Sequence, residues 1–397
     1  MRKITADAVF PISSSPLQNG ILVLDPDGRI LELAPEGTYP AEELEPFHGI
    51  LCPGLVNAHC HLELSYMKGH IPAGTGLVRF IRNLLRFRFG NPEANTPEII
   101  EAALQQADEE MFLNGIVAVG DISNQTDSFR QKAASRLYYH TFVECFGSVA
   151  DKAPNYFETS EAVFRSLRLL GLPGAISPHA PYSVPPALLK LIFNFPDHAP
   201  PVFSFHNQES PAEDEYFMSG TGDFVDSQKE FRFLEELMTP SGKSSLQTSL
   251  PHFPPDRNLL LVHNTMTREA DYQWAMKQHA RLWWCSCPRA NLYIENRLPD
   301  YDLLLTRPER LCLGTDSLAS NDRLSILEEM KTIQAHHPAI ATETLLRSAT
   351  LNGASFLQID HRFGSLEPGK QPGVVCIGGL AAGTYAFSPS STIQRVA

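Results

Sequence analysis

No stretch of this 397-residue chain approaches the ~18 consecutive apolar residues that span a bilayer as a helix. The opening MRKITADAVF has two basic residues, but Asp7 and Pro11 break up the apolar run after them, so no signal-peptide core is expected. Positive charge is also scarce. With 32 Lys and Arg against 45 Asp and Glu, the net charge is −13, which opposes nucleic acid or a membrane surface as partner. Cysteine is sparse and odd in number: seven residues (Cys52, Cys60, Cys145, Cys285, Cys287, Cys312, Cys376) sit in apolar stretches. That pattern excludes a disulfide framework and reads as reduced thiols in a cytoplasmic protein. Cys285-Ser286-Cys287 has no second thiol pair at zinc spacing and reads as a buried strand. A small-molecule substrate is the partner left standing. Oligomeric state is not legible, and a homo-oligomer stays open.

What is present is an ordered alternation. Short β-rich runs fill the first fifty residues (Ala8–Pro11, Gly20–Leu24, Arg29–Leu33), and Asp25-Pro26-Asp27-Gly28 marks a hairpin turn between the last two. Another β-rich piece, Gly373–Gly378, lies near the other end. Together they predict one small domain built from both chain ends, 1–52 and 360–397. Between them lie eight apolar strand candidates: Leu55–His61, Ile116–Ile122, Leu137–Glu144, Gly174–Pro178, Val202–His206, Leu259–His263, Arg281–Cys287 and Arg310–Asp316. Helical patterns such as Gly76–Phe87, Pro97–Leu113, Ser160–Leu170 and Pro185–Phe193 separate them. The fold class is therefore α/β, with a (β/α)8 TIM barrel over 53–359. A long segment, 208–256, follows the fifth strand; it holds a helical run, Phe224–Met238, and is expected to cover the barrel mouth as a lid.

The chemistry gathers at strand ends. Asn57-Ala58-His59-Cys60-His61 closes the first strand, and residues i and i+2 of a strand face the same way, so both imidazoles can converge on one ion. His206, His263 and Asp316 close the fifth, sixth and eighth strands. The C-terminal ends of parallel barrel strands open on one face. A single polar residue there is usually just a satisfied group, but four strands with the same ending are not explained that way. Neutral imidazoles with one carboxylate suit Zn2+, with Fe2+ or Mn2+ as alternatives. Glu209, three residues after His206, can reach the space above the ion without ligating it and carry protons.

These pieces together resemble the amidohydrolase superfamily: Pro53-Gly54-Leu55-Val56-Asn57-Ala58-His59-Cys60-His61, His206-x-x-Glu209, His263, Gly314-Thr315-Asp316-Ser317 and Gly364-Ser365-Leu366-Glu367-Pro368-Gly369-Lys370. The resemblance implies that the two chain ends, 1–52 and 360–397, form a small β-sandwich and that His59, His61, His206 and Asp316 bind the metal. It also implies that Glu209, His263 and Asp316 form the catalytic set that handles protons and orients the attacking water. Binuclear members carry a carboxylated Lys on the fourth strand; Gly174–Tyr182 has none and offers His179 instead, so one divalent metal ion is expected. Gln371-Pro372-Gly373 departs from the pattern, where relatives usually have an Asp.

Within the superfamily, the segments His61–Ser65, Ser177–Tyr182 and Cys287–Leu292 are most similar to deaminases of purines and adenosine-like nucleosides, and among these to aminodeoxyfutalosine deaminases, which serve one route to menaquinone. Their substrate joins an adenine nucleoside to a benzoate. The resemblance thus points to Glu63, His179, Arg289 and Asn291 as substrate-binding residues, with Glu63 on ribose hydroxyls and Arg289 on the carboxylate. Arg79, Arg82 and Arg86 compete for the anion but read better as a solvated helix face. Guanine or adenosine-type deamination, or triazine dechlorination, would use the same site. A non-catalytic metal-binding scaffold is the rival from another class, and retention of Glu209 and Asp316 argues against it.

Overall fold

The computed structural model describes residues 1–228, 235–381 and 383–397. Within these the two chain ends join in one seven-stranded sheet. Its strands are β1 (Arg2–Val9), β2 (Leu17–Gln18), β3 (Ile21–Leu24), β4 (Ile30–Ala34) and β5 (Glu45–Pro53) from the N-terminal side. Eight strands follow in the middle: β6 (Leu55–Cys60), β7 (Ile116–Ser123), β8 (Tyr138–Cys145), β9 (Gly174–Pro178), β10 (Val202–Asn207), β11 (Asn258–His263), β12 (Leu282–Ser286) and β13 (Leu311–Leu313). Finally β14 (Val374–Gly378) and β15 (Thr392–Arg395) return to the first sheet, whose order is β15-β14-β5-β1-β3-β4 with β2 on β1. The hairpin turn between β3 and β4 has the expected chemistry. Asp25 accepts the backbone N–H groups of Asp27 and Arg29 on Oδ1, and Gly28 takes φ +81°.

The middle strands form two parallel sheets of four, β6-β7-β8-β9 and β10-β11-β12-β13. Nearly every residue of these strands is buried, as expected of parallel strands covered on both faces, and this is why they read as continuous apolar runs. Eight parallel strands alternating with helices make the fold a (β/α)8 TIM barrel. The two half-sheets meet at two seams. At one, Thr315 and Asp316 donate their backbone N–H groups to the His59 carbonyl (3.0 and 3.1 Å), beside a parallel bridge between Cys60 and Asp316. At the other, the His206 N–H donates to the His179 carbonyl at 2.9 Å. Both seams lie at the strand ends that carry the chemistry.

Helices connect the strands: α1 (Leu77–Gly90), α2 (Pro97–Leu113), α3 (Phe129–Ala134), α4 (Ala153–Leu169), α5 (Pro186–Asn194), α6 (Pro211–Ser219), α7 (Asp223–Asp226), α8 (Ser245–Ser249), α9 (Glu269–Gln278) and α10 (Pro288–Glu295). Among these, α2 starts with Pro97 at its first position after a Thr96 cap. By contrast α1 has no side-chain cap of its own; the Leu77 N–H instead donates to Glu295 at the end of α10 (2.6 Å), which pins the start of α1 to the barrel.

The expected lid, 208–256, is described apart from 229–234. No described residue of 208–256 other than Glu209 lines the pocket above the strand ends; the apolar wall there belongs to α1. Phe224 of this segment is buried against Tyr182 and Tyr216. Of the helix expected over Phe224–Met238, α7 is the described beginning, and 229–234 lie outside the described residues.

Candidate active site

Period-two geometry places His59 and His61 as expected. Their Nε2 atoms lie 3.2 Å apart, and the His206 Nε2 is 3.3 Å from that of His61. Asp316 Oδ1 approaches the Nε2 atoms of His59 and His61 at 3.6 and 3.4 Å. His59 and His61 come from the first half-sheet, His206 and Asp316 from the second. In a tetrahedral site with bonds of about 2.0–2.1 Å, neighbouring ligand atoms sit roughly 3.3–3.4 Å apart. Four of the six pairs among these donors come close to that spacing, so the set fits a divalent ion.

Protonation agrees with the geometry. Burial lowers the His206 pKa to about 4 and drives that of His61 well below its ordinary value, so both imidazoles are neutral, as ligands must be. The His206 Nδ1 faces the His179 carbonyl at 2.9 Å, which keeps the hydrogen on Nδ1 and the Nε2 lone pair toward the cluster. For Asp316, burial pushes the carboxyl pKa up. The His59, His61 and His263 rings beside it outweigh that effect, leaving the pKa far below the usual range. Ser320 Oγ donates to Asp316 Oδ2, so Oδ1 is the atom left facing the imidazoles.

Two of these residues hold an uncommon backbone conformation. His263 has φ +76° and Asp316 φ +56°, both in the left-handed region that costs a non-glycine residue about 1–3 kcal/mol. The turn aims each side chain into the mouth as its strand ends. The His263 Nε2 lies 3.6 Å from Glu209 Oε1. Glu209 itself is fixed from below: its own N–H and that of Gln208 both donate to the buried Glu213 carboxylate (3.1 and 2.9 Å). Burial, then the negative charge of Asp316, raises the Glu209 pKa well above the carboxylate range.

A family profile described as the amidohydrolase family matches residues 50–393. The chain belongs to the amidohydrolase family. Like its relatives, this amidohydrolase is a metal-dependent hydrolase of C–N bonds. It is 26% identical over 309 residues to an aminodeoxyfutalosine deaminase of a Nitratiruptor species, covering 76% of this chain and 73% of that one. Over 347 residues it is 27% identical to a 5-methylthioadenosine/S-adenosylhomocysteine deaminase of Teredinibacter turnerae, covering 83% and 71%. Among solved structures, the Helicobacter pylori aminofutalosine deaminase in complex with methylthio-coformycin superposes with a TM-score of 0.81 at 23% identity over all of both chains. At that identity the superposition establishes the fold.

The pocket of the amidohydrolase is walled by Leu77, Phe80, Ile81, Leu84 and Leu85 of α1 on one side and by polar strand ends on the other. Glu63 and His179 line it, as expected. Glu63 accepts the N–H groups of Asn124 and Gln125 on Oε2 (2.9 and 3.1 Å), and the His179 Nδ1 is 2.6 Å from Ser183 Oγ. Two expectations are corrected. Arg289 is turned away from the pocket: its guanidinium bonds Asn321 and Asp322, and its N–H bonds Glu329, so a substrate anion would have to displace Asp322. Asn291 is buried behind His263, with Nδ2 2.9 Å from its Nδ1, and touches the site only through that ring.

Three lining residues escaped the sequence reading: Arg88, Asn124 and Glu144. Glu144 closes the third barrel strand as the ligands close theirs, and that position was the available signal. Its Oε2 accepts from Asn124 Nδ2 at 2.7 Å, while buried Oε1 has no hydrogen-bond partner.

Proposed function

We propose that this enzyme is a zinc-dependent hydrolytic deaminase of the exocyclic amino group of a purine-type nucleoside, with aminodeoxyfutalosine, a menaquinone precursor, as preferred substrate. The observation that carries the reaction class is the four-donor cluster with Glu209 and His263 beside it. Support for the substrate class comes from the names of the relatives and from a pocket that pairs an apolar wall with polar strand ends. The cytoplasm is the proposed setting, supported by seven buried free thiols. We also keep 53–359 as the catalytic unit and 1–52 with 360–397 as its companion domain.

His59, His61, His206 and Asp316 would hold the ion. A divalent ion bound there lowers the pKa of water from ~15.7 toward ~7, which supplies a nucleophile at neutral pH. Asp316 takes the proton of the attacking water. Glu209, buried beside the donor set and 3.6 Å from His263, would deliver a proton to the ring nitrogen as the attacked carbon becomes tetrahedral. His263 donates from Nε2 to the new oxygen, and ammonia departs after a further proton transfer. The apolar α1 wall keeps bulk water from the opposite side.

The same wall suits a methylthio arm, which makes 5-methylthioadenosine deamination the second reading. Ammonia release by zinc-loaded enzyme from aminodeoxyfutalosine, 5-methylthioadenosine, adenosine and guanine separates the readings. The primary one expects the futalosine compound to lead by kcat/KM. Guanine turnover with no nucleoside turnover would overturn the substrate class while leaving the site intact.

A further inference from the structure

One stripe of α1 faces the pocket. Leu77, Ile81, Leu84 and Arg88 follow the i, i+4, i+7, i+11 spacing of a single helix face, flanked by Phe80 and Leu85, and all of them line the cavity. The stripe is apolar for most of its length and ends in a guanidinium.

Among the described lining residues Arg88 is the one Lys or Arg, whereas Glu63, Glu144, Glu209 and Asp316 are all acidic. Arg88 is therefore the cationic side chain that an anionic group entering the pocket would meet. Arg88 Nη1 meets Glu63 Oε1 at 3.5 Å, longer than the ~2.7–2.9 Å of a good charged hydrogen bond, because Glu63 is drawn to the backbone of Asn124 and Gln125. With its amide oriented to satisfy both neighbours, Gln125 also accepts from Arg88 Nη2 at 3.3 Å. Those two long contacts leave most of the five guanidinium donors for something else. The side chain is 15% exposed, so it faces the cavity rather than bulk water.

We propose that Arg88 determines specificity by selecting nucleosides whose 5′ arm is apolar and ends in an anionic group, the arm lying along the α1 stripe with its charge on the guanidinium. The proposal rests on the nucleoside-deaminase reading. Arg289, the expected anion partner, is already committed to Asp322 and Asn321.

The test uses two synthetic substrates that differ by one group: 5′-deoxy-5′-(4-carboxyphenylthio)adenosine and 5′-deoxy-5′-phenylthioadenosine. Ammonia release gives the ratio of their kcat/KM values, which cancels losses common to both. Zinc-loaded wild type should favour the carboxylate. In Arg88→Met the ratio should fall about ten- to a hundredfold, chiefly through KM, as expected for loss of a charge-assisted hydrogen bond. Arg289→Met should leave the ratio within about threefold of wild type. The proposal is overturned by a wild-type ratio near one, by an unmoved ratio in Arg88→Met, or by an equal fall in Arg289→Met. Should wild type release ammonia from guanine but from neither nucleoside, the underlying reading fails, and that result is distinct from the other three.

Discussion

The side-chain amide nitrogen of Asn291 stands 2.9 Å from Nδ1 of His263, on the side of the ring away from the pocket. An amide that donates there keeps the imidazole hydrogen on Nε2, the atom that faces Glu209. Asn291→Ala should lower kcat about 10–100-fold, in the range typical for partners that orient a catalytic ring, with KM less affected. Asn291→Asp, though closer in shape, should be at least as damaging, because a carboxylate draws the hydrogen to Nδ1. Steady-state kinetics on both variants decides it; full activity in the Asp variant would remove Asn291 from this role.

Glu209→Gln should keep the metal and lose about 10²–10⁴-fold in turnover, since the amide preserves shape but cannot exchange a proton. Elemental analysis beside single-substrate kinetics gives both readings at once. Near-normal turnover at full metal content would make Glu209 a bystander.

One tightly held divalent ion per chain is expected, and His59→Ala should abolish both the ion and activity. Chelation should also lower the melting temperature. A ligand present at a thousand times its Kd stabilises the fold by about 4.1 kcal/mol. Two ions per chain in metal-replete protein, or none, would contradict the single-ion site.

His140, fully buried on β8 with no hydrogen-bond partner for either ring nitrogen, gives a pH prediction. Burial, reinforced by His198 and Lys132, lowers its pKa to about 3. Unfolded, the ring titrates near ~6.5. Between those values the unfolded chain binds a proton that the folded one refuses, so stability is complete above pH ~6.5 and falls with acidification by about 1.4 kcal/mol per unit. Urea midpoints measured from pH 7 to 5 should show the decline, and His140→Leu should make it shallower by up to about 1.4 kcal/mol per unit, the share of one such ring. An identical slope in the variant would assign the acid sensitivity to other groups.

How much of this was legible depends on whether the cause was local. The barrel strands were readable because strands buried on both faces must be apolar throughout, and the ligands because they interrupt those runs at the ends. The seam at His59 was not readable: the partner of that carbonyl is the backbone of Thr315 and Asp316, and backbone groups carry no sequence signal. Arg289 was misplaced because nothing around it announces that Asn321 and Asp322 fold back onto it. Arg88 was overlooked for a different reason. Its phase with Leu77, Ile81 and Leu84 is in the sequence, but Arg79, Arg82 and Arg86 on the same helix drew attention to another face. The pocket wall was not readable from segment lengths: it belongs to α1, whose start is held by Glu295 of α10.

β5 and β6 are neighbours in the chain, yet each finishes its pairing with a segment from far downstream: β5 with β14, and the end of β6 with Thr315 and Asp316. During synthesis one edge of β5 and one edge of β6 must stay open until residues 311–378 have emerged. Open edges recruit other strands, so the nascent chain is most exposed to aggregation late rather than early. A slowdown in translation over that last stretch would therefore cost more folded enzyme than one of equal length over α1 or α2.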